Sequence, residues 1–378
     1  MGWIFMGWIL LFGGIYIGGM IAAVAAAFKM SKFGFIKKLA KDKKRWTVLI
    51  SLLIMAALMT VLVFTIKAMN AVIVFLHLIV FWLLADLVNS IVRKKRGKTP
   101  KRYYAGAIAI VFTAVYLCIG AYLDFHVFET QYDVGTDKKV GHIRVAMIAD
   151  SHVGTTFDGD GFAEHLKEIE KTEPDILVVA GDFVDDSTTK EDMIRSCEAL
   201  GNVKTKYGVY VSFGNHDKGY MNSRGYSGND VIAELEKNGV HVLHDEAMLI
   251  DGRFYVIGRK DRSEQQRGGG RASMEALISG LDTSKYMIVI DHQPHDYDAQ
   301  AASGVDLVLS GHTHGGQVFP ANILEALFHA DDRVYGHETR NNTDFIVTSG
   351  ISDWEIIFKT CTYSEYVIID IREKRKDQ

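Results

Sequence analysis

Residues 143–152 read Ile-Arg-Val-Ala-Met-Ile-Ala-Asp-Ser-His, a mostly apolar run that ends in an acid, a hydroxyl and an imidazole. Short runs rich in valine and isoleucine predict buried β-strands, so Asp150 and His152 are expected just beyond the carboxyl end of a strand. In open α/β sheets, ligands bind beyond the carboxyl ends of the strands. This stretch therefore predicts an α/β domain with a polar site at one edge of its sheet.

The same arrangement recurs four times downstream, where each apolar run is followed at once by glycine or by acid, amide or imidazole side chains. The runs and the residues that follow them are Ile176–Ala180 with Gly181 and Asp182, Val209–Phe213 with Gly214, Asn215, His216 and Asp217, Met287–Ile290 with Asp291 and His292, and Leu307–Ser310 with Gly311, His312, Thr313 and His314. Any one of these alone is more often a turn or a helix cap. Five in succession indicate one common site.

Helical patterns lie between several of these strands, at Phe162–Lys171 and Asp230–Lys237. Alternation of strands and helices is typical of layered α/β domains. Two later apolar runs, Phe345–Thr348 and Tyr366–Ile371, are expected to add antiparallel strands. We expect the domain to occupy residues 142–378, after a polar linker at residues 124–141.

The side chains at the five strand ends indicate metal chemistry. Histidine, aspartate and asparagine together suit borderline divalent ions such as Mn, Fe or Zn. A carboxylate shared by two such ions offsets their repulsion at a spacing of about 3.5–4 Å. A thiolate site is excluded, because Cys118 lies within an apolar run and Cys197 and Cys361 are isolated from each other in sequence.

Taken together, these motifs resemble the calcineurin-like metallophosphoesterase superfamily, and Gly311–Gln317 is similar to a narrower group that includes transmembrane proteins with a metallophosphoesterase domain. The resemblance implies a double β-sandwich flanked by helices and two divalent metal ions at its strand ends. It implies seven metal ligands: Asp150, His152, Asp182, Asn215, His292, His312 and His314. In this scheme Asp182 bridges the ions, His216 acts as general acid or charge stabiliser near the substrate, and Asp217 orients His216 through a hydrogen bond.

The resemblance further implies hydrolysis of a phosphomonoester, phosphodiester or diphosphate by a metal-activated hydroxide. The chain has no Gly-x-Ser-x-Gly motif that would supply a nucleophilic side chain instead. A lipid-linked phosphoester is one substrate class that remains open. A tethered phosphatase of soluble nucleotides or phosphoproteins and a non-catalytic membrane sensor are the alternatives. The sequence does not give the oligomeric state.

Four apolar runs precede this domain, at about residues 2–28, 47–66, 70–92 and 103–123. Each reaches the roughly 20 residues that a membrane-spanning helix needs, so residues 1–123 are expected to form a multi-pass, all-α membrane domain. A bundle of buried helices in a soluble protein would show polar stripes instead. The first run lacks the basic start and the cleavage site of a signal peptide.

Charge predicts the orientation of these spans. Residues 1–102 carry a net charge of +14 and the remainder −18. The basic residues of the first part concentrate in the loops before the second and the fourth run, while Lys67 stands alone in the loop between the second and the third. Because Lys- and Arg-rich loops stay in the cytoplasm, the catalytic domain is expected outside it, at the cell membrane. Asp86 leaves an alternative, in which residues 70–92 re-enter the membrane without crossing it. Since these basic residues flank apolar runs, nucleic acid is not expected as a partner.

Two segments near the site have two interpretations each. Arg259, Arg262, Arg267 and Arg271 form either a phosphate-binding cluster or a solvated loop. Val318–Phe328 carries an apolar face at helical spacing. This face either belongs to the core or enters the bilayer surface and admits a lipid substrate.

Overall fold

The computed structural model describes residues 2–96, 103–220, 223–328 and 331–374. The chain divides into two compact units, Met1–Gly120 and Ala121–Gln378. Lys98, Lys101 and Arg102, which belong to the basic loop before the fourth apolar run, lie outside the described residues.

The N-terminal unit is helical. Its helices are α1 (Gly2–Met30), α2 (Gly34–Leu39), α3 (Lys44–Arg96) and α4 (Ala105–Phe125). Within the described ranges, three helices are long and apolar enough to cross a membrane: Phe12–Met30, Lys44–Lys95 and Ala105–Phe125. The predicted runs at 47–66 and 70–92 both lie in α3, whose backbone leaves the helical conformation at Ile66 and Lys67. The prediction of four separate spans stays a prediction.

One end of this unit carries a half-buried polar contact. Lys29 Nζ lies 2.6 Å from Asp86 Oδ2, and the Tyr103 hydroxyl donates a hydrogen bond to the other carboxylate oxygen at 2.7 Å. An acid within an apolar helix is costly unless it is paired. The Lys29 contact therefore accounts for Asp86, and it brings together the end of α1, the last turns of α3 and the segment just before α4.

The C-terminal unit contains two six-stranded sheets. Its elements in chain order are β1 (Val127–Thr136), β2 (His142–Ile148), α5 (Gly159–Glu170), β3 (Ile176–Ala180), α6 (Lys190–Asn202), β4 (Val209–Ser212), α7 (Gly228–Lys237), β5 (His241–Val242), β6 (Glu246–Ile250), β7 (Phe254–Gly258), α8 (Ser263–Arg267), α9 (Met274–Ile278), β8 (Tyr286–Ile290), α10 (Tyr297–Ser303), β9 (Leu307–Ser310), α11 (Ala321–Phe328), β10 (Gly336–Arg340), β11 (Thr343–Val347) and β12 (Ser364–Glu373). The strand orders are β1-β12-β2-β3-β4-β5 and β10-β11-β9-β8-β7-β6.

The two sheets share one hydrophobic core, because a single cluster of buried side chains contains residues of both, such as Met147 of β2 and Ile290 of β8. Successive side chains of a strand point to opposite faces. Accordingly, Ile148 belongs to a different cluster, which includes Phe162 of α5 and Leu235 of α7. Helices α9 and α10 contribute to a third cluster with the second sheet. The expectation of a mixed α/β domain with flanking helices is confirmed.

Two details differ from the sequence-based expectation. The predicted linker at residues 124–141 contains β1, which pairs in parallel with β12 along its whole length. As an edge strand, β1 alternates exposed residues with partly or fully buried ones from Glu129 to Thr136, and it lacks the continuous apolar run of a central strand. The run at Phe345–Thr348 contributes to β11, which is antiparallel to β10 but parallel to β9.

Candidate dinuclear metal centre

The five predicted strand ends converge. Strands β2, β3 and β4 run in parallel in one sheet, and β8 and β9 run in parallel in the other. Backbone hydrogen bonds continue past the strand ends and join neighbouring loops, from Asp150 N to Gly181 O at 3.0 Å and from Gly311 N to His292 O at 2.9 Å. The polar residues that follow the strands are thereby fixed relative to one another.

Glycine is required where these loops approach each other. A Cβ added at Gly214 would lie 2.2 Å from Asp182 Oδ1, and one at Gly311 would lie 2.5 Å from Asp150 Oδ2. Both distances are far below van der Waals contact, so any other residue would displace a carboxylate of the site.

Six of the seven predicted ligands form two groups. The first is Asp150, His152 and His314, and the second is Asp182, His292 and His312. Within each group the candidate ligand atoms lie within 4.8 Å of one another. Asp182 Oδ2 lies 3.0 Å from His292 Nε2 in its own group and 3.7 Å from His152 Nε2 in the other. This position between the groups is the one that a bridging carboxylate occupies.

The donor set fits divalent metal ions. Nε2 of His152 and Nε2 of His292 are buried without a hydrogen-bond partner among the described residues, an expensive arrangement unless a ligand satisfies them. The opposite ring nitrogens are held: His152 Nδ1 lies 3.2 Å from Asp185 Oδ2, and His292 Nδ1 lies 2.7 Å from the Ala180 carbonyl oxygen. Since a carbonyl only accepts, His292 Nδ1 carries a proton, and Nε2, on the side of Asp182, is the ring nitrogen that would bind a metal.

The charge balance of the site favours cations. Burial alone lowers the pKa of His152, but the hydrogen bond with Asp185 and the charges of Asp182 and Asp150 outweigh it and raise that pKa to about 9. Burial likewise opposes charge on His292, and the neighbouring Asp182 raises its pKa well above the usual value. The buried carboxylates thus create a negative potential that divalent ions would neutralise.

His314 has a buried acidic neighbour that sequence reasoning missed. Asp353 Oδ1 lies 2.8 Å from His314 Nδ1, and Asp353 is completely buried. Lys359 Nζ lies 3.7 Å from the same carboxylate and donates to the carbonyl oxygens of Ser349 and Ser352. A carboxylate behind a metal-binding histidine is a common device for fixing its orientation. Asp353 follows no apolar strand directly, so no local pattern marks it.

The loop after β4 carries the remaining predicted residues. The Asn215 side-chain amide donates to the Tyr220 hydroxyl at 3.0 Å, and its role as a ligand stays a prediction. The ring of His216 lies 5.1 Å from that of His152, between centroids. Burial lowers the pKa of His216 to about 4. The imidazole is therefore neutral near pH 7 and suited to donating a hydrogen bond.

The carboxylate of Asp217 contacts backbone amides. Its two carboxylate oxygens accept four backbone N–H groups, from Asp182 at 2.9 Å, Phe183 at 2.8 Å, Val184 at 3.0 Å and Gly214 at 2.7 Å. Among the hydrogen bonds of the described residues, none joins its side chain to the His216 ring. The acid therefore fixes the loops after β3 and β4, and its role in orienting His216 stays a prediction.

The backbone at the site is unusual. Five of the predicted ligands have positive φ angles: Asp150 at 53°, His152 at 35°, Asp182 at 51°, His312 at 73° and His314 at 48°. Left-handed backbone is uncommon for residues other than glycine, and it concentrates at functional sites where the surrounding structure enforces it. The clustering of these angles independently marks the same residues.

Two of the candidate phosphate-binding arginines form ion pairs with the buried carboxylate of Asp291. The Arg259 guanidinium lies 3.1 Å from Asp291 Oδ2, and Arg271 donates to the same buried oxygen. Arg262 contacts the imidazole of His295, and the side chain of Arg267 lies outside the described residues. Arg259 and Arg271 thus neutralise an acid beside His292, so the phosphate-binding interpretation does not hold for them.

The apolar segment after the last ligand is not core. Residues Ala321–Phe328 form α11, and Phe319, Ile323, Leu324, Leu327 and Phe328 are 46–74% exposed. Of the two interpretations of Val318–Phe328, burial in the core is therefore wrong for these five side chains.

Comparison with known proteins agrees with the motifs. The sequence profile of calcineurin-like phosphoesterases matches residues 143–316, which include all seven predicted ligands. An uncharacterized metallophosphoesterase of Aquifex aeolicus is 30% identical over 70% of this chain and 99% of its own length. One from Campylobacter jejuni is 28% identical over 62% of this chain and 60% of its own length.

The Danio rerio transmembrane protein with metallophosphoesterase domain is 27% identical over 49% of this chain and 43% of its own length. Together with the near-complete Aquifex match, these similarities show that the chain belongs to the calcineurin-like phosphoesterase family.

Proposed function

We propose that this protein is a membrane-anchored, two-metal phosphoesterase that hydrolyses a phosphomonoester, phosphodiester or diphosphate. The observation that carries the proposal is the pair of ligand groups between which Asp182 lies, with the buried Nε2 atoms of His152 and His292 3.7 Å and 3.0 Å from its carboxylate. A non-catalytic sensor has no need of a neutral imidazole at the rim of such a site, where His216 lies.

Two divalent ions bound here would neutralise the phosphoryl oxygens and generate the attacking nucleophile from water. The chain's own residues have complementary tasks. Asp182 lies between the two ligand groups, and its Oδ1 accepts the backbone N–H of His216 at 2.8 Å. His216 is thus held at a fixed distance from the bridging carboxylate. Its neutral imidazole donates a hydrogen bond to the phosphoester, at either a phosphoryl or the leaving oxygen.

Membrane anchoring is supported by the three apolar helices, and the contact of Lys29 with Asp86 supports the proposed orientation. It places the end of α1 and the last turns of α3 at the same end of the helical unit. If residues 70–92 re-entered the membrane from the outside without crossing it, Asp86 would lie on the outer side and Lys29 on the cytoplasmic side. The two side chains could not then be in contact. With both ends cytoplasmic, α4 leads outward, and the catalytic unit lies on the extracytoplasmic face of the cell membrane.

The direct test uses the purified full-length chain in detergent, stripped of metal with a chelator. Turnover of bis(p-nitrophenyl) phosphate should be absent and should return on titration with Mn²⁺, with Zn²⁺ and Fe²⁺ tested in parallel. The Asp182→Asn variant should bind less metal and lose turnover by about 10³-fold or more, because one carboxylate contributes to both ligand groups.

Asp344→Asn is the matched control, since Asp344 also pairs with a histidine, His337, at 2.8 Å, but outside the site. It should keep both metal content and turnover. Retention of two metals and full turnover by the Asp182→Asn variant would remove Asp182 from the site.

A further inference from the structure

Helix α11 has an uncovered apolar face. Seven large apolar side chains are exposed between residue 126 and residue 374 of the described chain, and five of them lie in one ten-residue segment. They are Phe319, Ile323, Leu324, Leu327 and Phe328. The sole ionisable side chain within residues 319–328 is Glu325, which is half-buried. A concentrated apolar surface of this kind marks an interaction site.

A short connection joins the exposed face of α11 to His314. Six residues separate the ligand His314 from the first residue of α11, and the turn between them is tight, since a Cβ added at Gly316 would lie 2.4 Å from Asn322 Cβ. The segment is also tied to the chain beyond Asp353. The Thr360 amide donates to the Gln317 carbonyl oxygen at 2.8 Å, and the Phe319 amide donates to the Thr360 hydroxyl at 2.9 Å. What binds to α11 is therefore held close to His314.

The connection between α4 and the catalytic unit indicates which partner the exposed face of α11 meets. Helix α4 is apolar and long enough to cross a membrane, and it ends at Phe125. Strand β1 begins at Val127, so His126 is the whole connection between the helix and the catalytic unit. So short a connection tethers the catalytic unit to the membrane that α4 would cross, and this membrane offers a lipid surface. An amphipathic helix with large apolar side chains at such a surface places its apolar face among the acyl chains.

We propose that α11 enters the lipid surface and that the substrate is a phosphoester attached to a lipid in that surface. The inference rests on the proposed two-metal hydrolysis and names its substrate class. In the reaction, the oxygen of water forms a bond to phosphorus and the bond from phosphorus to the leaving oxygen breaks. The water's proton ends on that leaving oxygen. The lipid stays in the bilayer while its phosphoryl group reaches the metal centre beside α11.

The test compares two substrates with the same aryl leaving group on the full chain in phosphatidylcholine nanodiscs. One is soluble bis(p-nitrophenyl) phosphate, and the other is a diacylglycerol p-nitrophenyl phosphodiester within the disc. Combining Leu327→Glu with Phe328→Glu should lower kcat/KM for the lipid substrate by about tenfold or more, the effect of losing one buried apolar side chain. Turnover of the soluble substrate should stay within about twofold of the unsubstituted protein.

Leu249→Glu is the matched control, because Leu249 on the edge strand β6 is 47% exposed, close to the 46% of Leu324. It should change neither rate. Equal losses on both substrates in the double variant, or an unchanged rate on the lipid substrate, would overturn the inference.

A direct contact measurement separates this inference from the proposed activity. The Phe328→Trp variant should show extra fluorescence quenched by lipids brominated on their acyl chains, and Leu249→Trp should not. Absence of quenching would show that the apolar face does not enter the lipid and would overturn the inference. A change in oligomeric mass on Leu327→Glu substitution in detergent would instead assign the face to a contact between copies of the chain. If the unsubstituted protein turns over neither substrate, the activity proposal fails while quenching still decides the membrane contact.

Discussion

Replacing Asp353 by asparagine tests how the metal centre is built behind its ligands. The substitution keeps the size of the side chain and removes its charge. In the structure, Asp353 Oδ1 lies 2.8 Å from His314 Nδ1 in a fully buried position. Burial raises the pKa of Asp353 to about 6, while the nearby Lys359 works against that rise. We expect the ionised acid to hold the His314 ring so that Nε2 faces Asp150.

The magnitude follows from the burial of this contact. The contact is a close approach of a buried carboxylate to an imidazole nitrogen, and each 1.4 kcal/mol of interaction corresponds to about tenfold in an equilibrium constant. Loss of the carboxylate charge should thus weaken metal binding at the group of Asp150, His152 and His314 by roughly 10- to 100-fold. This is the range found when partners of metal-binding histidines are changed. The group of Asp182, His292 and His312 should be affected less.

The assay is a Mn²⁺ titration of the chelator-stripped full-length protein by calorimetry, with the melting temperature recorded beside it. The Asp353→Asn variant should show one weakened and one nearly normal binding step, and added Mn²⁺ should restore turnover. The Asp344→Asn variant provides the comparison at an unrelated Asp–His pair. A lower melting temperature with unchanged Mn²⁺ affinity, or equal weakening of both steps, would refute the positioning role and leave Asp353 a purely structural acid.

Two further outcomes are expected. His216→Ala should lower kcat while leaving most of the metal bound. If the imidazole protonates the leaving group, the loss should be smaller for acidic leaving groups, whereas an equal loss across leaving groups would indicate hydrogen bonding to the phosphoryl oxygens. For the orientation, Ser279→Cys at an exposed site of the catalytic unit should react with a membrane-impermeant thiol reagent in intact cells. Reaction confined to lysed cells would place this unit in the cytoplasm.

The strands and the ligands could be predicted because their signals are local. A central strand buried on both faces needs an uninterrupted apolar run, and the polar residue that ends the run marks the sheet edge. This holds for β3, which is found at the predicted residues 176–180. Strand β1 escaped prediction, because an edge strand with one exposed side resembles a polar segment.

The residues behind the ligands could not be predicted, because their roles depend on contacts between distant segments. Asp217 is adjacent to His216 in sequence, which suggests a bond between their side chains. In the fold its carboxylate faces the amides after β3 instead. Arg271 lies in a glycine-rich loop, yet its side chain is buried against Asp291. Neighbours in sequence are thus poor guides to the partners of a buried charge.

Hydrogen bonds within the protein support the unusual backbone of the site. A residue other than glycine in left-handed conformation costs on the order of 1–3 kcal/mol and persists where surrounding contacts enforce it. Those contacts are present in the structure. The Asp150 carboxylate accepts the His312 amide at 3.0 Å, and Asp217 accepts the amide of Asp182. These hydrogen bonds within the protein support the backbone angles. Removal of metal should therefore abolish turnover while the sheets and the ligand loops keep their arrangement, which separates this centre from small metal sites whose fold depends on the ion.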